Sequence, residues 1–178
     1  MASIGHVAVG MAAGRAFAGR LGRPATPGST IGAMIALSIL SMLPDLDVIA
    51  FRLGIPYAAP FGHRGASHSL CAALLVGAMA GIAALGLKLS PIRTGLLVFV
   101  VVATHGLLDA LTDGGLGAAL LWPYSNHRYF APWRPIPVAP IGKRIFSPWG
   151  MRVMLFELLW FSPLFLYSIW PRRRRAAD

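Results

Sequence analysis

The residues of this sequence that could do chemistry are histidines and aspartates, and they occur in small groups. His105 and Asp109 are four residues apart, a spacing that places both side chains on one face of a helix. Asp45 and Asp47 follow Pro44, where a helix should end, and in an extended turn residues two apart point the same way. Imidazole nitrogen with carboxylate oxygen suits zinc, manganese or iron. The candidate metal ligands are His6, Asp45, Asp47, His63, His68, His105 and Asp109.

The two neighbouring carboxylates make a cation plausible on energetic grounds. Asp45 and Asp47 repel each other unless a cation or a proton lies between them. A charged residue costs about 2.5–3.5 kcal/mol at the centre of a bilayer and less near its edge. Plainer alternatives stay open for these groups: a solvated helix end, histidines at the membrane interface, or a hydrogen bond between helices. Seven candidate ligands exceed what one tetrahedral ion needs, so one or two ions fit this set.

The elements that must position these residues are apolar helices. Hydrophobic residues make up 56% of the 178 residues and charged residues only 12%, against about 25% in soluble domains. We therefore predict an all-α, polytopic integral membrane protein of four to five helices, forming one domain over residues 1–178. The predicted helices are 5–20, 30–47, 69–89, 92–112 and 151–170, with loops at 48–68 and 113–150 (the latter interfacial) and a basic tail at 171–178. Whether helix 5–20 spans the membrane stays open.

Alternation of helix direction predicts where the candidate ligands lie. If all five helices cross, every candidate ligand falls on the same membrane face, which predicts a metal-type site at that face. The net charge of +10 is spread beside apolar segments, which is typical of topology determinants rather than of nucleic-acid binding. Because positive charge in short loops faces the cytoplasm, we expect the site face to point outward. The cations of the opposite face are Arg20, Arg23, Lys88, Arg93 and Arg172 to Arg175.

Three of the polar residues are candidates for catalysis. Arg64 directly follows His63, and a guanidinium beside a metal site suits the phosphate or carboxylate group of a substrate. Asp47 and Asp109 could each serve as a general base if one carboxylate is free of the metal. His127 lies in a polar stretch, and we expect it at the surface.

The order of these motifs resembles a family of bacterial inner-membrane proteins described as membrane-bound metal-dependent hydrolases, the YdjM-like or LexA-binding family. The matching stretches are LPDLD (43–47), HRGASHS (63–69), HGLLDALT (105–112) and LWPYS (121–125), together with the early His6. The resemblance extends over residues 1–147. It implies a location in the bacterial inner membrane and a metal-dependent hydrolase activity, and it implies no substrate.

A weaker likeness concerns the helical HxxxD pair with an upstream aspartate and histidine. This arrangement is similar to the zinc phospholipase C and P1 nuclease group, all-helical enzymes that cleave phosphoesters with clustered metal ions. The present sequence lacks their full ligand set and is far more apolar. The likeness therefore favours phosphoester chemistry only modestly.

The sequence thus predicts a membrane-bound hydrolase that uses metal-activated water on a phosphoester or lipid-linked substrate. The expected cofactor is a divalent metal, with zinc favoured over manganese or iron. The expected partners are the lipid bilayer and such a substrate, and no nucleic acid. Two alternatives stay open: an ion-binding membrane transporter, since intramembrane His and Asp also mark ion paths, and a non-catalytic partner-binding protein. The sequence predicts no oligomeric state.

Overall fold

A computed structural model describes residues 3–22 and 24–171 of the chain. Over these residues the protein is helical, which confirms the predicted all-α class, and the only β-type pairing is two isolated bridges. The α-helices are α1 (Ile4–Phe17), α2 (Pro27–Ser41), α3 (Leu70–Gly86), α4 (Pro91–Ala110), α5 (Pro148–Trp160) and α6 (Ser162–Ile169). Three 3₁₀ segments lie between them: Leu43–Leu53, Ala66–His68 and Gly142–Phe146.

The last predicted helix, 151–170, is divided into two helices in the structure. α5 and α6 meet at an angle of 57°. Pro163 explains the break, because proline lacks the amide hydrogen of a helical bond and its ring clashes with the preceding turn. The described part of the chain therefore has six α-helices, where at most five were predicted.

The second predicted helix, 30–47, also differs from the structure. α2 ends at Ser41, and the chain continues as the 3₁₀ segment Leu43–Leu53, which carries both Asp45 and Asp47. Pro44 in the first turn of that segment removes a helical donor, which ends α2. The predicted loop at 48–68 is therefore partly helical. Residue 23 and most of the predicted basic tail, residues 172–178, lie outside the described residues.

The helices form two antiparallel pairs that pack on each other. α1 packs along α2 and α3 along α4, while α4 also contacts α1 and α2, and α5 and α6 contact α1. An apolar core lies between the two pairs and is made of Leu37, Ala73, Leu97, Val98, Val101 and Val102. This arrangement brings the start of α1, the end of α2, the start of α3 and the end of α4 to one end of the bundle.

Apolar side chains also cover much of the outer surface. Ile35, Ile82 and Leu96, on three different helices, are each more than half exposed. Two helical stretches are long and apolar enough to cross a membrane, Pro27–Leu53 and Pro91–Ala110, and the bent α5–α6 pair makes a third if it counts as one span. α3 is apolar but has only 17 residues. Such a surface fits lipid better than water.

Glycines let the backbones of α1 and α2 approach closely. A methyl group built on Gly10 would lie 2.4 Å from the Cα of Ser38, and one built on Gly14 would lie 2.5 Å from the Cα of Met34. Small residues at such contacts are typical of helix packing in membranes. The close approach fixes α1 against α2 and with it the position of His6.

We predict that Gly10→Ala destabilises the protein by about 1–3 kcal/mol, because the added carbon collides with backbone that cannot rotate away. The measurement is unfolding in detergent micelles followed by circular dichroism. Gly32→Ala is the matched control, since a methyl group at Gly32 of α2 meets nothing within 4 Å. The control should be unchanged or more stable by about 0.5–1 kcal/mol. Equal stability of the two variants would contradict the close packing of α1 on α2.

Candidate metal centre

The ends of four helices bring five of the predicted ligands together. His6 lies in the first turn of α1, Asp45 follows the end of α2, and His68 directly precedes the N-cap of α3. His105 and Asp109 lie in the last turns of α4. His6, His68, His105 and Asp109 are at most 3% exposed, whereas the side chain of Asp45 is 21% exposed.

Four of these side chains form a compact donor set, which we call the tetrad: Asp45, His68, His105 and Asp109. The Nε2 atoms of His68 and His105 are 3.1 Å apart, and Oδ1 of Asp45 lies 3.7 Å and 3.4 Å from them, respectively. Oδ2 of Asp109 lies 3.1 Å from Nε2 of His68 and 3.7 Å from that of His105. Metal–ligand bonds of about 2.0–2.2 Å in a tetrahedron separate the ligands by roughly 3.3–3.6 Å. The tetrad therefore fits one tetrahedral ion.

The second nitrogen of each tetrad histidine fixes which tautomer is present. Nδ1 of His105 lies 2.7 Å from the carbonyl oxygen of Ser41, an acceptor only, so this nitrogen must carry a proton. Nδ1 of His68 faces Oδ2 of Asp47 at 3.1 Å and donates to that carboxylate. In their neutral forms, both rings therefore direct an Nε2 lone pair into the tetrad.

The centre of the tetrad consequently needs positive charge. Two lone pairs and two carboxylate oxygens converge in a largely buried space, where unpaired polar groups and charges are costly. His6 forms a wall of this space, with its ring stacked on His105 at 3.6 Å between centroids. Neither nitrogen of His6 has a hydrogen-bond partner among the described residues, and Nε2 lies 3.8 Å from Oδ1 of Asp109. A divalent cation suits this donor set, as does a proton.

Asp47 and His63 lie beside the tetrad and form a second group with His68. Oδ1 of Asp47 is 2.6 Å from Nδ1 of His63, while Oδ2 accepts from the Ser67 hydroxyl at 2.5 Å and the Arg64 amide at 3.0 Å. The carboxylate of Asp47 is thus surrounded by donors and orients both histidines. Carboxylates in this position behind a metal-binding histidine fix its ring and its tautomer. A second ion here would have to replace these hydrogen bonds.

Arg64 is placed differently from its predicted role of holding an anionic group of a substrate. The residue is 3% exposed, and its Nε lies 3.3 Å from Oδ2 of Asp109. Its NH1 donates to the Thr112 hydroxyl and to the Gly114 carbonyl, each at 3.0 Å. Its backbone is left-handed, with φ of 60°, a strained conformation for a residue with a side chain. The guanidinium is therefore committed to Asp109 and the segment after α4 rather than open to a ligand.

The HRGASHS stretch works as one structural unit around Arg64. A methyl group at Gly65 would lie 2.2 Å from the carbonyl oxygen of Pro60, so no side chain fits there. The Ser69 hydroxyl accepts from the Ala72 amide and begins α3. The tight turn and the helix cap together fix the direction of His68 and explain the residue types of the motif.

Arg128 is a structural residue of this site that the sequence did not reveal. Its guanidinium donates to the carbonyl oxygens of His63, Tyr57 and Ala59 at 2.9–3.0 Å and lies over the Tyr57 ring. It therefore clamps the loop that carries His63. Its neighbour His127 is exposed, as predicted. No spacing pattern in the sequence connects Arg128 to a loop some 70 residues earlier.

Comparison with known proteins identifies the family of this chain. The family model described as YdjM inner membrane protein matches residues 1–175. This chain belongs to that family. It is also 42% identical over 141 residues to the inner membrane protein YbcI of Escherichia coli (strain K12), which covers 76% of this chain and 82% of the relative. No solved structure matches the chain.

Family membership confirms two of the predictions from the sequence. The resemblance to YdjM-like proteins is correct, and the inner membrane is the location that both descriptions name. Neither description names an activity, a metal or a partner.

Protonation of the tetrad follows from the surroundings of His68. Burial lowers the pKa of this imidazole, but its hydrogen bonds with Asp109, Asp45 and Asp47 outweigh burial and raise the pKa to about 10. Without a metal, His68 is therefore an imidazolium at neutral pH, and the proton on its Nε2 supplies positive charge to the tetrad. A metal ion must displace that proton.

We predict that the detergent-purified protein binds one equivalent of zinc, manganese or iron and that His105→Gln and Asp109→Asn lose it. Both variants remove a donor of the tetrad while nearly keeping the side-chain volume. The measurement is metal content by mass spectrometry after incubation with each ion. His127→Gln, at an exposed histidine outside the centre, should keep the wild-type content. Two equivalents would indicate a further ion at Asp47 and His63, and an empty wild type would leave the proton as the occupant.

We also predict that metal binding releases about one proton and tightens about tenfold for each pH unit between roughly pH 6 and 8. The sign follows from His68: its pKa of about 10 lies above this range, so the proton is bound before the metal arrives and free afterwards. Calorimetry at one pH in two buffers of different ionisation enthalpy counts the protons. Binding that does not depend on the buffer or on pH would contradict the proton assigned to His68.

Proposed function

We propose that this protein is a multi-pass, divalent-metal-dependent hydrolase of the inner membrane, with zinc as the favoured ion and a phosphoester or lipid-linked compound as substrate. The observation that carries the proposal is the tetrad, in which two imidazole lone pairs and two carboxylate oxygens converge at tetrahedral spacing. A partly exposed member of the tetrad, Asp45, gives the centre an opening for a substrate.

We propose that α1 to α4 and the α5–α6 pair run between the two membrane faces. The tetrad lies at one end of the bundle. At the other end, the Ser90 amide donates to the Leu21 carbonyl oxygen at a distance of 2.7 Å. Arg20 and Lys88 belong to the short connections at that second end, and Arg93 lies beside them in the first turn of α4. Because positive charge in short loops faces the cytoplasm, the metal centre would face outward.

A cavity of about 450 Å³ beside the tetrad supports an amphiphilic substrate. Ser3, Asp45 and His63 form its polar part. The rest of its lining is mainly apolar and comes from α1, the 3₁₀ segments and α5: Ile4, Met42, Leu46, Val48, Ile141, Ile145 and Met154. A pocket that joins one polar end to apolar walls suits a compound with a hydrolysable head and an apolar chain.

The residues of the centre divide into those that hold the ion and those that face the cavity. His68, His105 and Asp109 are buried and would hold a divalent ion from behind. Asp45 is the tetrad member that lines the cavity, so it would accept a proton from the attacking water. A bound ion would lower the pKa of a water molecule toward ~7 and polarise the bond under attack.

The remaining polar groups would position the ligands. Asp47 holds Nδ1 of His68 and so aims Nε2 at the ion. Arg64 holds Asp109 through Nε and partly balances the charge of the two tetrad carboxylates. The proposal therefore assigns Arg64 a positioning role in place of contact with substrate.

We predict metal-dependent hydrolysis by the zinc- or manganese-loaded protein and a loss of about 10²–10⁴-fold in kcat for Asp45→Asn, because the amide cannot act as a base. The assay compares bis(p-nitrophenyl) phosphate with dioctanoyl phosphatidic acid in detergent. Asp113→Asn is the matched control: its Oδ1 accepts from the Val138 amide at 2.7 Å, a bond that asparagine keeps.

The outcomes separate the proposed activity from its rivals. No metal-dependent turnover of either compound by protein that holds its metal would contradict the hydrolase and leave a structural metal site. Metal-ion flux in sealed vesicles that is lost in Asp45→Asn would instead favour the transporter. Equal losses in Asp45→Asn and Asp113→Asn would mean that charge rather than position matters.

A further inference from the structure

Two arginines meet at the end of the bundle opposite the metal centre. The hydrogen bond from Ser90 to Leu21 joins the turn after α1 to the turn before α4. Next to it, NH1 of Arg93 donates to the backbone carbonyl of Arg20 at 3.1 Å. The guanidinium of Arg20 lies over the Phe17 ring, 5.8 Å from its centroid. Both side chains are exposed, so this end of the bundle carries two accessible positive charges.

A cavity of about 590 Å³ begins at these arginines and continues along α4. Its other walls are apolar and include Phe17, Leu96 and Val100. Leu96 is 61% exposed and Val100 53% exposed, so the apolar wall is open to the surroundings of the bundle. The cavity therefore combines a cationic rim with an apolar groove.

No carboxylate of the described residues balances these two cations. Of the six acidic residues, five are described, and Asp45, Asp47 and Asp109 lie at the metal centre. Asp113 accepts from the Val138 amide, and Glu157 accepts from the Gly5 amide.

The backbone at this place adds to the positive potential. α4 begins at Pro91, and its N-terminus carries the positive end of the helix dipole. Arg93 lies in the first turn of this helix, which is one of those apolar enough to cross a membrane. The rim of the cavity therefore falls where a crossing α4 would leave the hydrocarbon region, at the level of lipid phosphates.

We propose that this cavity binds an anionic membrane phospholipid. The phosphate lies between the guanidinium groups of Arg20 and Arg93, which are suited to paired hydrogen bonds with phosphate oxygens. One acyl chain follows the groove along Leu96 and Val100. The net negative charge of the lipid distinguishes it from zwitterionic lipid, and the acyl chain distinguishes it from free phosphate. The proposal does not depend on the hydrolase activity.

The test is native mass spectrometry of the full-length protein in detergent micelles, with dioleoyl phosphatidylglycerol and dioleoyl phosphatidylcholine at matched concentrations. The two lipids have the same chains and differ in net charge. We expect the wild type to bind phosphatidylglycerol about 25-fold more tightly, from roughly fivefold for each arginine near the phosphate. The Arg20→Gln/Arg93→Gln variant should lose the preference, and the Arg20→Lys/Arg93→Lys variant should retain most of it.

Control variants and a soluble competitor complete the test. Arg52→Gln/Arg144→Gln removes the same charge from two exposed residues outside this cavity and should keep the preference for phosphatidylglycerol. Inorganic phosphate should not displace the lipid. A wild type without preference, an equal loss in the control variant, or displacement by phosphate at the lipid's concentration would each overturn the proposal. If a glutamine variant fails to fold, the comparison of phosphatidylglycerol with phosphatidylcholine binding to the wild type still tests the proposal.

Discussion

The rest of the structure depends on a largely buried cluster of two imidazole nitrogens and two carboxylate oxygens. Each ring is fixed from behind, His105 by the Ser41 carbonyl and His68 by Asp47, so neither can turn its lone pair away. Burial keeps these groups largely out of contact with solvent, so a positive charge between them is needed to offset their repulsion. The apolar helical bundle holds these four side chains in place.

The sequence predicted which side chains cluster at this site better than it predicted the contacts between them. Two patterns were enough to predict that distant ligands lie at one end of the bundle. They are the i, i+4 spacing of His105 and Asp109 and the alternation of helix direction. The role of Arg64 was not predictable, because its direction depends on a left-handed backbone and on contacts with the segment after α4. Arg128 donates to backbone carbonyl oxygens. Because every residue has one, the residue types in the sequence do not indicate which carbonyls it contacts.

The presence of each helix was predicted more reliably than the residues at which it begins and ends. Apolar length locates α3 and α4 to within a few residues, since lipid and core packing both depend on it. The change from α2 to a 3₁₀ segment and the break before α6 each depend on one proline, Pro44 and Pro163. Of these, Pro44 was recognised in the sequence as the place where a helix should end, whereas the break at Pro163 was missed and residues 151–170 were predicted as one helix.

The scattered origin of the tetrad has a consequence for biogenesis. Its donors come from the connection after α2, the connection before α3 and the end of α4, and His6 adds a wall from α1. A nascent chain in which only α1 and α2 have formed therefore has Asp45 without His68 and His105 beside it. Only the arrival of α3 and α4 brings the two tetrad imidazoles and Asp109 beside Asp45. The four donors of the tetrad therefore come together only in the fully assembled bundle.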